Sequence, residues 1–298
     1  MQSAATLPTE RPCASATIRT LCRAGGDIAW QRFTPKHVKP GTAPLLLIHG
    51  FACGKEDWGA VPRIVGTKAQ REVISFDNRG IGHSTHPSGS YSVEQMTNDA
   101  CGVLHAAGVD KACVLGISLG GMIAQKLALD HPERVCSLII GCSSHGGREA
   151  TPLPAAFLEL CQSWAAHAEP NESTLISDFM KLMLPAAFLD TPAGQKLFVK
   201  FEQAFLSTRR TSSGLQGQFA AMGRFNSTKR LAELRVPTLI VSGSEDVVVL
   251  PSNSHSLAQR IPDAQLQVWQ GAGHFWWAHR PVDAAEMLAQ FLMESDDK

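Results

Sequence analysis

A net charge is the first thing this chain lacks: 27 lysines and arginines meet 27 aspartates and glutamates, and the pI lies near 7.2. No field of one sign steers it toward nucleic acid or an anionic membrane surface. No apolar run approaches the length of a membrane span. The first fourteen residues contain no apolar h-region, which argues against a secretory signal. Arg11, Arg19 and Arg23, with only Glu10 nearby, faintly suggest a mitochondrial presequence, but the hairpin expected from Ala16 leaves too little free sequence for one. Neither Cys-x-x-Cys nor His-Glu-x-x-His occurs, so a metal site has little support.

Paired cysteine spacing is missing too. Cys13, Cys22, Cys53, Cys101, Cys113, Cys136, Cys142 and Cys161 are scattered, and Cys113 and Cys136 fall in buried-strand patterns where a thiol acts as a small hydrophobe. Free thiols in a reducing compartment is the better reading, and a cytoplasmic location is expected. The tail Glu294-Ser295-Asp296-Asp297-Lys298 is solvated and carries no targeting signal. What remains is a chain of 298 residues, 44% hydrophobic and 18% charged, the balance of a soluble globular enzyme with a sizeable core.

Strand-like runs alternate with helical ones. After a first hairpin (Ala16 to Leu21, Ile28 to Phe33), strands are expected at Leu45 to Ile48, Glu72 to Phe76, Lys111 to Ile117 and Arg134 to Cys142. Ser92-Val93-Glu94-Gln95 reads as a capping box opening a helix that ends near Gly108. Such alternation implies right-handed crossovers and a parallel sheet covered on both faces. It stops after Ser144. From His145 to Arg235 no convincing strand appears, and Pro152, Pro154, Pro170, Pro185 and Pro192 cut the stretch into short helical segments. A stretch this long is no plain loop. It reads as helices inserted over the C-terminal edge of the sheet. The sheet resumes at Pro237 to Ser242 and Ala264 to Trp269, and a last helix spans Pro281 to Met293.

Chemistry-bearing residues fall at the strand ends. Gly116-Ile117-Ser118-Leu119-Gly120 joins an apolar strand to a helical pattern carrying Met122, Ile123, Leu127 and Leu129. A serine at the apex of so sharp a turn is a candidate nucleophile, and glycines two residues to either side suit the crowding there. By itself the pattern arises by chance in roughly one chain of this length in ten. His49-Gly50-Phe51 follows another strand. Phe51 and Leu119 could supply the two backbone N–H donors that a developing oxyanion needs, with the His49 side chain serving structure. Gly243-Ser244-Glu245-Asp246 offers a carboxylate to orient a histidine. Asp246 and Glu245 compete for that role, and the shorter Asp246 reaches inward. Gly271-Ala272-Gly273-His274 supplies a candidate base, with His255 and His279, both placed on helices, as rivals.

The order Ser118, Asp246, His274, together with those four motifs, resembles the α/β-hydrolase superfamily from about Ala16 to Met293. Asp77-Asn78-Arg79-Gly80-Ile81-Gly82-His83-Ser84 is similar to the family's turn before the capped helix, where its charged pair braces the bend. The resemblance implies a mostly parallel eight-stranded sheet flanked by helices, with a core at 15–144 and 236–298, a helical cap at 145–235 and an N-terminal extension at 1–14. It also implies a catalytic triad of Ser118, Asp246 and His274 that needs no cofactor or metal. Epoxide hydrolases and haloalkane dehalogenases of this fold place Asp where this chain has Ser118. The nearest likeness is the esterase and enol-lactonase branch. The expected substrate is a small hydrophobic ester, thioester or lactone, handled by a monomer or homodimer. Phe179, Met180 and Trp276 would wall the pocket, unless they simply pack the cap against the sheet. Carbon–carbon bond hydrolases and hydrolase-fold receptors share these motifs and stay open as alternatives.

Overall fold

The structure is a computed structural model that describes residues 18–22, 26–166 and 173–297. Eight strands form one sheet: β1 (Ile18–Cys22), β2 (Gly26–Phe33), β3 (Leu45–Ile48), β4 (Val73–Phe76), β5 (Ala112–Ile117), β6 (Val135–Gly141), β7 (Thr238–Gly243) and β8 (Gln265–Trp269). Their spatial order is β1-β2-β4-β3-β5-β6-β7-β8. β2 pairs antiparallel with both β1 and β4, and every other pairing is parallel. The expected strands therefore form with ends displaced by a residue or two. The hairpin turn at 23–25 and the extension at 1–14 lie outside the described residues.

The apolar runs explain the layering. Every residue of β3, β4, β5 and β7 is buried, as strands covered on both faces must be, whereas edge strand β8 exposes Gln265 and Gln267. In chain order the first helices are α1 (Val61–Lys68), α2 (Val93–Ala106) and α3 (Leu119–Asp130). The capping box at the start of α2 is made as its spacing requires: Ser92 Oγ accepts from Gln95 N–H at 3.2 Å, and Gln95 Oε1 accepts from Ser92 N–H at 3.0 Å.

Between β6 and β7 the described residues contain helices and no strand of the sheet: α4 (Ala155–Ala166), α5 (Ser173–Met183), α6 (Ala186–Leu189), α7 (Pro192–Ser207) and α8 (Ser212–Arg224). Single bridges, Gly146 to Asn226 and Ile81 to Arg210, tie this segment to itself and to the turn after β4. The chain closes with α9 (Pro251–Arg260), α10 (Trp276–His279) and α11 (Pro281–Asp296), and α11 packs against α1. Among the described residues no helix is long and apolar enough to cross a membrane.

The turn after β4 is held by buried charge. Arg79 forks onto Asp99 of α2 (Nε to Oδ2 2.6 Å, Nη2 to Oδ1 2.8 Å), while the Asp77 carboxylate accepts from Lys55 N–H at 2.7 Å and Lys55 Nζ at 3.0 Å. Asn78 Nδ2 donates to His49 O at 3.0 Å, so the turn also steadies the segment leaving β3. Registers bring Ile48 beside Gly116, Ile117 beside Gly141 and Gly141 beside Val241. The C-terminal ends of β3, β5, β6 and β7 thus open on one crevice, where ligands of open α/β sheets bind.

Candidate active site

Ser118 stands between β5 and α3 at φ 56° and ψ −118°, a conformation that side chains seldom adopt. Holding it costs on the order of 1–3 kcal/mol. The surroundings enforce it. Ser118 N–H donates to Gly141 O at 2.9 Å, and Ser118 O accepts from Ser143 Oγ at 2.7 Å and from Gly121 N–H at 2.9 Å. The flanking glycines are sterically required: a Cβ on Gly120 would lie 2.0 Å from Ile48 O, and one on Gly116 would lie 2.1 Å from Gly120 O. Leu119 is the first residue of α3, where a backbone N–H has no partner inside its own helix.

The loops after β7 and β8 are stitched together by Ser244 N–H to Trp269 O and Glu245 N–H to Ala272 O, both 2.9 Å. This brings His274 Nδ1 to 2.8 Å from Asp246 Oδ2. Asp246 Oδ1 accepts from Val248 N–H at 2.8 Å and Val249 N–H at 2.9 Å, so both carboxylate oxygens are occupied. Glu245 is exposed and Asp246 buried. An acceptor at Nδ1 places the proton there and leaves the Nε2 lone pair free to take a proton. Of the rival histidines, His255 is exposed on α9, and His279 packs its ring 4.0 Å from that of Phe188.

Ser118, His274, Phe51 and His49 line one cavity of about 10 Å³. That is room for about one water molecule. Phe157 of α4 and Phe179 and Met183 of α5 close it from the inserted helices. Of the three residues expected to wall a pocket, only Phe179 does so. Met183, one helical turn along the same face, takes the place expected for Met180, which is buried elsewhere in the helix packing. Trp276 packs on Trp269, ring centroids 5.6 Å apart, away from the cavity, and the residue before it, Phe275, lines the wall instead. Phe275 N–H donates to Met183 O at 3.0 Å, which fastens the end of α5 beside His274.

His49 is fully buried. Gly50 N–H donates to its Nδ1 at 2.9 Å, its ring lies 4.5 Å from that of Trp58, and its Nε2 has no partner. Burial, and secondarily the nearby His274, lower its pKa from 6.5 to about 3, so the ring is neutral. An unfolded chain binds this proton between pH 6.5 and 3 while the folded one does not, so stability drains as pH falls through that window. Replacing His49 by Gln is expected to flatten the acid limb of the urea midpoint measured against pH. An unchanged slope would show that this histidine is not the group responsible.

Among the described residues one triple of candidate metal ligands is close-set: Cys142 Sγ, an Asp246 oxygen and a His274 nitrogen, all within 4.8 Å. The donor set does not fit a metal. Burial, then the Asp246 charge, push the Cys142 thiol well above its usual 9, and the imidazole and carboxylate already satisfy one another. The six cysteines whose side chains are described are free thiols.

Residues 43–276 match the family model for the alpha/beta hydrolase fold. The chain belongs to the α/β-hydrolase family and is an enzyme of the hydrolase class. It is 33% identical over 263 residues, 85% of this chain and 92% of the relative, to a protein of Azorhizobium caulinodans named "Putative carbamate hydrolase RutD". To the 2-hydroxymuconate semialdehyde hydrolase of Pseudomonas putida it is 31% identical over 265 residues, covering 85% of this chain and 88% of that one. Among solved structures, the enol-lactonase from Burkholderia xenovorans superposes with a TM-score of 0.80 at 18% identity, over 93% of this chain and 100% of the other, a likeness of fold.

Proposed function

We propose that this chain is a serine hydrolase that cleaves a carboxylic ester, thioester or lactone of a small hydrophobic substrate through an acyl-enzyme. The observation that carries this is that His274, which lines the same cavity as Ser118, holds its Nδ1 2.8 Å from the doubly anchored Asp246 behind it. His274 Nε2 takes the Ser118 proton as Oγ attacks the carbonyl. The backbone N–H groups of Phe51 and Leu119 hold the resulting oxyanion. Asp246 keeps the proton on Nδ1 and stabilises the imidazolium that forms. His274 then protonates the leaving group, the ester C–O or C–S bond breaks, and the same base activates the water that releases the acid. No cofactor enters these steps. Residues 145–235 act as a helical cap over the sheet's C-terminal edge, selecting substrate by what can part Phe157, Phe179 and Met183. The free thiols support a reducing, cytoplasmic setting.

A second reading is hydrolysis of a carbon–carbon bond beside a ketone, favoured by the 31% identity to 2-hydroxymuconate semialdehyde hydrolase. An anionic substrate of that kind calls for a cation near the serine, and among the described residues those lining the small cavity include neither Lys nor Arg. This favours the neutral ester. A panel of p-nitrophenyl esters graded in acyl length, run beside a vinylogous diketone, tests both. Ester turnover with covalent labelling of Ser118 by a fluorophosphonate is expected. Turnover of the diketone alone would overturn the ester reading, and no labelling at all would overturn the serine mechanism.

A further inference from the structure

Gly50 to Cys53 form a tight turn closed by Cys53 N–H donating to Gly50 O at 3.3 Å. The third residue, Ala52, sits at φ 61°, a left-handed setting that a turn normally gives to glycine or asparagine. Left alone, such a turn relaxes by rotating its central peptide, Phe51–Ala52, which carries the third residue back to negative φ and loosens the turn that seats the Phe51 N–H. Two side chains from the segment between β6 and β7 hold the peptides on either side of Ala52, Gln218 the rotating one and Arg210 the next. Gln218 of α8 accepts the Ala52 N–H on Oε1 at 3.0 Å, and its Nε2 donates to Arg79 O at 2.9 Å, which anchors the amide at both ends. Arg210, fully buried, donates from Nε to Ala52 O at 2.8 Å and from Nη1 to Thr208 O at 2.8 Å, with its guanidinium 3.6 Å over the Phe205 ring. The N–H and C=O of one strained residue are thus both held by the inserted segment, on the loop that carries Phe51.

We infer that Gln218 and Arg210 are positioning residues of the oxyanion hole, locking the Phe51–Ala52–Cys53 peptides so that Phe51 N–H points at the cavity beside Ser118. The inserted helices therefore complete the catalytic machinery as well as cover it. This inference rests on the serine-hydrolase reading. The arrangement is itself braced: Asp57 Oδ2 lies 3.8 Å from Arg210 Nη2 and accepts from Gly54 N–H at 2.7 Å.

The test compares wild type with Gln218→Met, which keeps volume and loses both hydrogen bonds, and with Gln218→Asn, which keeps the amide but shortens its reach. Three quantities are read on the full chain: kcat and KM for a p-nitrophenyl ester, the Ki of a trifluoromethyl ketone, and the Ki of the matching unreactive amide. A loosened oxyanion donor should lower kcat by roughly tenfold or more, up to the hundred- to thousandfold cost, in order of magnitude, of losing such a donor outright. KM and the amide Ki stay put, and the ketone, which forms an oxyanion on Ser118, weakens by the same factor as kcat. A merely structural role would weaken ketone and amide alike or leave kcat untouched, and either result overturns the inference in whichever variant folds. If wild type neither hydrolyses esters nor labels at Ser118, the parent reading fails and this one falls with it. Those controls separate the two failures.

Discussion

Ser118→Ala is expected to lower kcat for ester hydrolysis by roughly a millionfold, the scale seen when a triad nucleophile is deleted. Removing Oγ takes away the atom that forms the covalent bond, and no other nucleophile lines the cavity except the buried Cys53 thiol. Burial and the neighbouring Asp57 charge hold that thiol protonated, well above its usual range. Stability should hardly change. The elbow is fixed through Ser118 N–H and O, which alanine retains, and the backbone strain is the same for either side chain. The check is a progress curve with a p-nitrophenyl ester together with a thermal melt. A variant that melts like wild type and still turns over within tenfold would remove Ser118 from the mechanism.

Asp246→Asn has the next largest expected effect, a loss of about ten-thousandfold in kcat, as when a triad histidine is put in the wrong tautomer. The reason lies in how the carboxylate is held. Val248 and Val249 both present N–H groups to Oδ1, so an asparagine must turn its carbonyl oxygen toward them. Its NH₂ then faces His274 Nδ1. Two donors cannot share that contact, so the imidazole moves its proton to Nε2, and the nitrogen facing the serine can no longer act as a base. KM is expected to stay within a few-fold, because Asp246 is buried behind the histidine and does not line the cavity. Steady-state kinetics with the same ester decides it, and a loss smaller than a hundredfold would assign the orienting role elsewhere.

The sheet was legible because its strands are short apolar runs bounded by turn residues, and because Ser118 directly follows one strand while Asp246 and His274 lie in the short loops after two others. Position along the chain there predicts position in space. The choice of Asp246 over Glu245 was legible from length: just past the strand end the shorter side chain reaches inward, and Asp246 is buried while Glu245 is exposed. The inserted helices offered no such rule. Leu175, Ile176, Phe179, Met180 and Met183 are all buried along one broad stripe of α5 that packs on α4 and α7 as well as over the cavity, so the pattern does not name which of its members meets Ser118. Met183 lines the cavity where Met180 was expected. Trp276 follows a residue with an unusual turn, Phe275 at φ −88° and ψ 55°, and that local bend swaps which aromatic faces the site. Arg210 and Gln218 were invisible for a different cause. They meet Ala52 across 158 and 166 residues of chain, and no motif marks either one.

At rest the enzyme has almost no place for its substrate. The cavity beside Ser118 holds roughly 10 Å³, so a substrate can reach the serine only as Phe157, Phe179 and Met183 part, and any cost of parting them is subtracted from the intrinsic affinity. Selectivity then has two separable sources: how well a ligand fits once inside, and how often Phe157, Phe179 and Met183 part to admit it. The packing of these three side chains on the inserted helices then enters the specificity constant beside the chemistry at Ser118.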